Sequence, residues 1–155
     1  MDLKDKVAVI TGGASGLGRA TVKRFVGHGA KIAIFDMNEE KGKILVDEFP
    51  GNVIFCNVNV TSEESVQAGI AATVEAFGAI HICCNFAGVG NAIRTMGKKG
   101  PFPLDAFNMV IQINLVGSFN VLRLCAEKMS DNEPFNEDGG RGVIINTASV
   151  AAYEG

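Results

Sequence analysis

The glycines within the stretch TGGASGLG, residues 11–18, stand where they could bind a phosphate. An apolar run rich in branched residues, 7–10, precedes them and indicates a buried parallel strand. Apolar residues at helical spacing follow them up to position 29. A glycine turn lets a ligand approach the backbone, and the start of a helix offers unpaired N–H groups to a pyrophosphate. The pattern therefore predicts dinucleotide contacts at Gly12, Ser15, Gly16, Leu17 and Gly18; the alternative is a turn that only packs the helix against the strand.

An acidic residue, Asp36, ends the next strand-like run, 31–35. A carboxylate about 20 positions after such glycines is the expected ligand of the ribose hydroxyls of a dinucleotide. It would repel a 2′-phosphate, so the sequence predicts NAD rather than NADP as cofactor. Two nearby cations, Arg19 and Lys31, are interpreted as solvated surface residues.

Three further strand-like runs, 53–58, 80–84 and 143–146, are each followed by polar or small residues. Ligands of parallel α/β folds bind at the carboxyl ends of the strands. We therefore expect the cofactor site to include Asn59, Val60, Asn85, Phe86, Ala87 and Gly88, with the Phe86 side chain used for packing. Asn114 is a polar residue inside an apolar helical run, where it indicates either a kink or an amide satisfied by backbone.

Strand and helix patterns alternate along the whole chain. Helices are predicted over 39–49, from a capping box at 61–64, and over 104–129. The last of these is expected to bury a face that includes Phe107, Ile111, Leu115, Leu122 and Cys125. Alternation of this kind predicts an α/β fold with a doubly wound, Rossmann-like parallel sheet. Residues 1–155 would form one dinucleotide-binding domain containing its five N-terminal strands.

Composition argues against several classes of function. The 155 residues are 47% hydrophobic and 20% charged, with a net charge of −3 and no basic block, so neither a nucleic acid nor a membrane is expected as partner. No apolar run approaches the length of a membrane span, and the charged N-terminus predicts no signal peptide. The four cysteines lack zinc or redox spacing, so no metal site is predicted. They indicate a reducing compartment: the cytoplasm, or alternatively the mitochondrial matrix.

The motif Thr-Gly-x-x-x-Gly-x-Gly, the tetrapeptide Asn-Phe-Ala-Gly at 85–88, and the settings of Asn114 and Ser149 together resemble the short-chain dehydrogenase/reductase family. The resemblance implies hydride transfer between a secondary alcohol and NAD. It implies that the Ser149 hydroxyl binds the substrate carbonyl and that Asn114 holds a water of the proton relay. Many relatives have aspartate where this chain has Asn59, with the acid on the adenine amino group.

Stretches at 9–18, 98–100, 132–134 and 141–152 resemble the branch of this family that acts on 3-hydroxyacyl-CoA and hydroxysteroids. This resemblance implies an acyl-CoA or steroid-like alcohol as substrate and a homo-oligomeric complete enzyme. The family's catalytic Tyr-x-x-x-Lys is not among the 155 residues, because Tyr153 is the only tyrosine, lies close to Ser149 and is followed by no lysine. We therefore expect an incomplete copy of a longer enzyme. The alternatives are a non-catalytic NAD-binding module and an S-adenosylmethionine methyltransferase, which also uses a glycine loop and an acid after the second strand.

Overall fold

A computed structural model describes residues 1–98 and 100–154, and its main element is a five-stranded parallel sheet. A two-stranded antiparallel hairpin accompanies it. In chain order the strands are β1 (Val7–Thr11), β2 (Lys31–Asp36), β3 (Val53–Asn57), β4 (Ile82–Asn85), β5 (Met96–Gly97), β6 (Gly100–Pro101) and β7 (Val143–Asn146). The order in the main sheet is β3-β2-β1-β4-β7, so the chain winds outward in both directions from β1, as predicted.

In the described part of the chain, six α-helices connect or follow the strands. They are α1 (Gly16–Val26), α2 (Glu39–Glu48), α3 (Glu63–Phe77), α4 (Leu104–Ile111), α5 (Ser118–Ser130) and α6 (Ala151–Glu154). A π-helical segment, Gln112–Gly117, joins α4 to α5 without a break.

Helices cover both faces of the sheet, and the side chains of β1 to β4 alternate between two cores. In β1, Val9 packs with Val66 of α3 and Val121 of α5. Ala8 and Ile10 point to the other face, where α1 and α2 pack. Every residue of β1 is buried, which is why its sequence is continuously apolar rather than alternating.

The long helix differs from its predicted pattern. Phe107 is 48% exposed and Leu115 is 63% exposed, although both were expected on the buried face; Ile111 and Leu122 are half-buried, and only Cys125 is fully buried. α4 buries none of its residues, so Phe107 and Ile111 have no buried face to join, whereas α5 buries Val121, Leu124 and Cys125. The i→i+5 turn between them also breaks the regular spacing, so a single helical period does not hold through 104–129.

Two smaller predictions were also wrong. The N-cap of α3 is Ser62, whose hydroxyl accepts a hydrogen bond from the Ser65 N–H, so no capping box forms at 61–64. The loop predicted from Val89 to Pro103 contains the β5–β6 hairpin.

The continuous helix Leu104–Ser130 is also long and apolar enough, by length and composition, to cross a membrane. Its most apolar window has a mean hydropathy of 1.4 and is 28% buried. The expectation that no apolar run approaches the length of a membrane span was wrong. Polar residues are scattered through this helix, but they leave its mean hydropathy high enough for such a span.

The four cysteines are free, and three of them have thiols with a raised pKa. Burial raises the pKa of Cys56 to about 11 and that of Cys84, next to Cys83, to about 12. A hydrogen bond with Cys83, together with burial, raises the pKa of Cys125 well above its usual value. Because the thiolate is the reactive form, these residues act as small apolar side chains. Within residues 1–98 and 100–154 no group of three His, Cys, Asp or Glu side chains could hold a metal ion.

His81, at the start of the β4 segment, makes the stability of the fold depend on pH. Its Nδ1 accepts a hydrogen bond of 3.1 Å from the Val7 N–H, which requires an unprotonated nitrogen. Burial and the charge of Lys6 lower the pKa of His81. The unfolded chain thus binds a proton more readily than the folded one, so the contribution is complete above pH ~6.5 and is lost as the pH falls through the folded pKa.

We expect the urea midpoint of the wild-type chain to fall between pH 7 and pH 5 more than that of His81→Asn. Asparagine can keep an acceptor near the Nδ1 position and does not titrate. Most carboxylates titrate below this window, so they contribute little to the difference. Equal pH dependence of the two proteins would contradict this role of His81.

Candidate cofactor site

A cavity of about 410 Å³ opens at the carboxyl ends of β1 to β4. It is lined by Gly12, Ser15, Gly16, Leu17, Gly18, Phe35, Asp36, Met37, Val58, Asn59, Val60, Phe86, Ala87, Gly88, Val89 and Ile113. All of the predicted cofactor residues except Asn85 are in this set. The structure therefore brings residues from four strand ends into one concave site.

The ends of β1 and β4 are tied together by the Thr11 side chain, which is 1% exposed. Its Oγ1 accepts hydrogen bonds from the N–H groups of Phe86 at 3.0 Å and Ala87 at 2.9 Å. The Gly12 N–H donates to the Phe35 carbonyl at 2.8 Å and so joins the loop to β2. These bonds fix the cavity floor by satisfying buried backbone donors.

Glycine is required at positions 12 and 18 for packing within the protein. Gly12 has φ +63°, and a Cβ there would lie 2.9 Å from the Ala87 nitrogen. A Cβ on Gly18 would lie 2.2 Å from the Gly12 carbonyl oxygen. Gly16 also has a positive φ of +50°, but nothing lies within 4 Å of a Cβ placed there. Of the three, Gly16 is therefore the glycine whose missing side chain leaves open space at the start of α1.

Replacing Gly18 by alanine is expected to lower the free energy of unfolding by about 1–3 kcal/mol, the usual cost of an overpacked site. The cause is a collision between the added methyl group and the backbone carbonyl of Gly12. Gly16→Asn is expected to lower the free energy of unfolding less than Gly18→Ala does, because asparagine tolerates a positive φ. Its main effect should be on binding at the mouth of the cavity. Urea unfolding and NADH titration of both variants separate the effects, and a Gly18→Ala protein as stable as wild type would contradict the packing assignment.

Asp36 is the only charged side chain among the described residues that line the cavity. One carboxylate oxygen accepts from the Ala14 N–H at 3.0 Å, and the other accepts from the Asn38 N–H at 2.9 Å. The carboxylate is therefore held in place by the glycine loop and by the turn after β2. Each oxygen retains a further lone pair for an incoming hydroxyl.

Asn59 lines the cavity but its amide oxygen is already engaged. It accepts from the Thr61 N–H at 3.0 Å and from the Thr61 hydroxyl at 2.8 Å. An adenine amino group would have to compete with Thr61 for this oxygen, which would weaken the predicted contact. Phe86 packs its side chain against the core cluster formed with α1 and α2, as predicted.

The side chain of Asn114 makes two hydrogen bonds with the backbone of the loop after β4. Its Oδ1 accepts from the Val89 N–H at 2.9 Å, and its Nδ2 donates to the Val89 carbonyl at 2.8 Å. It sits in the π-helical segment, and a Cβ on Gly88 would lie 3.3 Å from its Oδ1. Of the two alternatives drawn from the residues alone, a helix kink or a buried amide satisfied by backbone, the backbone bonds are confirmed, although Asn114 is exposed rather than buried.

Asn85 and Ser149 lie outside the residues that line the cavity. Asn85, the last residue of β4, is buried, and its Nδ2 donates to the Asn146 Oδ1 of β7 at 2.9 Å, whereas its own Oδ1 has no hydrogen-bond partner among the described residues. The Thr147 hydroxyl donates to the Asn85 carbonyl at 2.7 Å. Ser149 is exposed two residues beyond, and its Oγ accepts from the Ala151 N–H at 3.2 Å.

Five residues line the cavity but were not predicted: Phe35, Met37, Val58, Val89 and Ile113. Phe35 and Val58 directly precede the predicted residues Asp36 and Asn59. Met37 and Val89 directly follow predicted site residues, so extending each strand end by one position would have found them. Ile113 had no such signal, because only the docking of the π-helical segment beside Gly88 brings it near.

A family model described as short chain dehydrogenase matches residues 6–155. The chain belongs to the short-chain dehydrogenase family. This match removes the basis for the methyltransferase alternative, and it confirms the family resemblance seen in the glycine motif and around Ser149.

Several members of the family are similar over nearly the whole chain. The chain is 50% identical to the rat 3-hydroxyacyl-CoA dehydrogenase type-2 and 46% identical to the human one, covering 99% of this chain and 59% of each relative. A crystal structure of 3-hydroxyacyl-CoA dehydrogenase type-2 from Mycobacterium avium superposes with a TM-score of 0.89 at 37% identity. That comparison covers 99% of this chain and 61% of the other. The chain thus spans about three fifths of the length of these relatives.

The structure describes most residues of the stretches that carry the resemblance to the 3-hydroxyacyl-CoA dehydrogenase branch. Lys99 lies outside the described residues, as does Gly155 at the chain terminus.

Proposed function

We propose that this chain binds NAD(H) for a dehydrogenase that oxidises a secondary alcohol, with a 3-hydroxyacyl-CoA as the first candidate substrate. Membership of the short-chain dehydrogenase family supports a nicotinamide cofactor. The names of the relatives support the substrate class. The observation that carries the proposal is the position of Asp36 beside the glycine loop, in a cavity that also contains the start of α1.

A dinucleotide fits the chemistry of this cavity. The first turn of α1 has no acidic residue, and Ser15, Gly16 and Leu17 place its free N–H groups at the cavity wall. These donors and the positive end of the helix dipole suit a pyrophosphate. The two oxygens of Asp36 suit a pair of ribose hydroxyls, and aliphatic side chains such as Leu17, Met37 and Val60 suit a flat base.

Discrimination against NADP follows from the charges around Asp36. A 2′-phosphate would face a carboxylate, and the residue that follows is Met37, which supplies no positive charge. A phosphate without a cationic partner and next to an anion is strongly disfavoured. We therefore assign NAD(H) rather than NADP(H).

Bound NAD would supply the hydride acceptor, and this chain's residues would orient the reactants. Asn114 fixes the loop from Gly88 to Val89 and so shapes the wall of the cavity. In the proposed enzyme the Ser149 hydroxyl hydrogen-bonds the substrate oxygen. In the proposed enzyme a tyrosine assisted by a lysine takes up the alcohol proton. These 155 residues contain no Tyr-x-x-x-Lys motif that would supply this pair.

NADH fluorescence measures the proposed binding directly. We expect saturable enhancement by the protein, competition by NAD and ADP-ribose, and no competition by S-adenosylmethionine at equal concentration. Absence of saturable NADH binding by a protein with native circular dichroism would contradict the proposal.

A further inference from the structure

A second concavity lies between α3 and α5, on the face of the sheet where these helices pack, and has a volume of about 610 Å³. Its floor is apolar and its edges are polar or charged. We call it the α3–α5 groove; the floor is formed by Ile70, Ala71, Val74 and Leu124, and the edges by Gln67, Glu75, Glu127, Lys128 and Asp131. None of these residues lines the cofactor cavity.

Contacts between the helices close one end of this groove. The Arg123 guanidinium pairs with the Glu63 carboxylate at 2.8 Å, near the N-terminus of α3. The groove then extends along α3 from Gln67 to Glu75, which is about 12 Å, or two helical turns. A groove of this length between two helices suits a third helix, the arrangement in which an amphipathic helix lies in a groove.

The open end of the groove is negative. Glu75, Glu127 and Asp131 lie in or beyond the last turns of their helices, and Lys128 is the one basic residue among the described residues that line the groove. In the described residues none of these three carboxylates forms an ion pair, whereas the pairs present involve Glu39, Glu48 and Glu63. The C-termini of α3 and α5 add partial negative charge at the same end, and α3 has no basic residue in its last turn.

We propose that the α3–α5 groove docks a basic amphipathic helix of a partner protein. Apolar side chains of that helix would cover Ala71 and Val74, and its lysines or arginines would face Glu75, Glu127 and Asp131. A second copy of this chain fits less well in a two-fold contact, because it would present the same groove, in which three carboxylates outnumber one lysine, and the two surfaces would not be complementary in charge. This inference does not depend on the proposed cofactor.

The probe is a helical peptide of about four turns built only of leucine and lysine, labelled with a fluorophore, with a leucine–glutamate peptide as control. We expect the lysine peptide to raise fluorescence anisotropy saturably, with affinity falling as salt is added. The glutamate peptide should not bind. Methyl NMR of the same titration should shift the signals of Ala71, Val74 and Leu124 before those of the exposed Leu115.

Two matched triple variants distinguish the effect of the groove carboxylates on peptide binding from the effect of the protein's net charge. Glu75→Gln/Glu127→Gln/Asp131→Asn should weaken the lysine peptide at least tenfold. Glu40→Gln/Asp47→Asn/Glu137→Gln makes the same change in net charge at exposed sites elsewhere and should weaken it less than twofold. Ala71→Gln, at an exposed helical position, should also weaken it by obstructing the floor.

Equal losses in the two triple variants, or unchanged binding by Ala71→Gln, would overturn the proposal. Sedimentation of Ala71→Gln tests the other occupant. If this substitution reduced self-association and left peptide binding unchanged, the groove would be a contact between copies of the chain, and the proposal would be wrong.

Discussion

Replacing Asp36 by asparagine is expected to weaken NADH binding by about tenfold to a hundredfold, the range expected when hydrogen bonds to a charged group are lost. Asparagine keeps one acceptor oxygen, so it can still hold either the Ala14 N–H or the Asn38 N–H, which now share the carboxylate. Asp36→Ala loses both bonds. It should therefore bind NADH more weakly still and also loosen the glycine loop.

Titrations with NADH and NADPH measure this effect, and Asp47→Asn is the matched control because it removes an exposed carboxylate from α2. The control should bind as the wild type does. Urea unfolding of each variant shows how much of the loss reflects a less stable loop.

The same position should set the choice of cofactor. The double variant Asp36→Ala/Met37→Arg removes the carboxylate and adds a cation at the cavity edge, so we expect the preference to move towards NADPH. Tighter binding of NADPH than NADH by the unmodified protein would contradict the NAD assignment.

The strands and the cavity wall could be predicted from the sequence because their signals are local. Buried parallel strands such as β1 are continuous apolar runs, and their ends are marked by Thr11, Asp36 and Asn85. Residues that follow those ends meet at one edge of the sheet. Prediction from this rule alone placed all but Asn85 of the proposed cofactor residues on the cavity wall.

What could not be predicted depends on contacts distant in sequence. Asn85 differs from its neighbours because its side chain turns towards Asn146, which is 61 positions away. The role of Gly18 appears only when α1 is packed on the loop, where a Cβ would meet the Gly12 carbonyl. The π-helical geometry of Gln112–Gly117 likewise could not be predicted from its sequence. Asn114 indicated a kink as one alternative, but not this type of helix.

The exposed apolar surface near β7 also depends on distant contacts. β7 pairs only with β4 in the described part of the chain, and its residues Val143, Ile144 and Ile145 are 38%, 36% and 43% exposed. Phe119 of α5 is 59% exposed. An apolar strand at the edge of a sheet can pair with another chain, so we expect these 155 residues to associate in solution when expressed alone.

The 155-residue chain is expected to show no measurable oxidation of a 3-hydroxyacyl-CoA. Tyrosine has an unperturbed pKa of about 10 and needs a neighbouring cation to accept a proton near neutral pH. Tyr153 is the only tyrosine, is 93% exposed, and has no lysine after it. General acid–base catalysis is worth roughly 10²–10⁴ in rate, and imperfect positioning of the reactants would lower the rate further.

The assay is NADH formation from a 3-hydroxyacyl-CoA, with Tyr153→Phe as the matched variant and NADH binding measured on the same samples. Binding without turnover is the expected result, since Asp36 and the glycine loop are present whereas a positioned base is not. Turnover that Tyr153→Phe abolishes would contradict the assignment and would make Tyr153 the catalytic base. Turnover that survives this substitution would place the base elsewhere, and the Ser149 hydroxyl, already accepting from the Ala151 N–H, would be the next group to test.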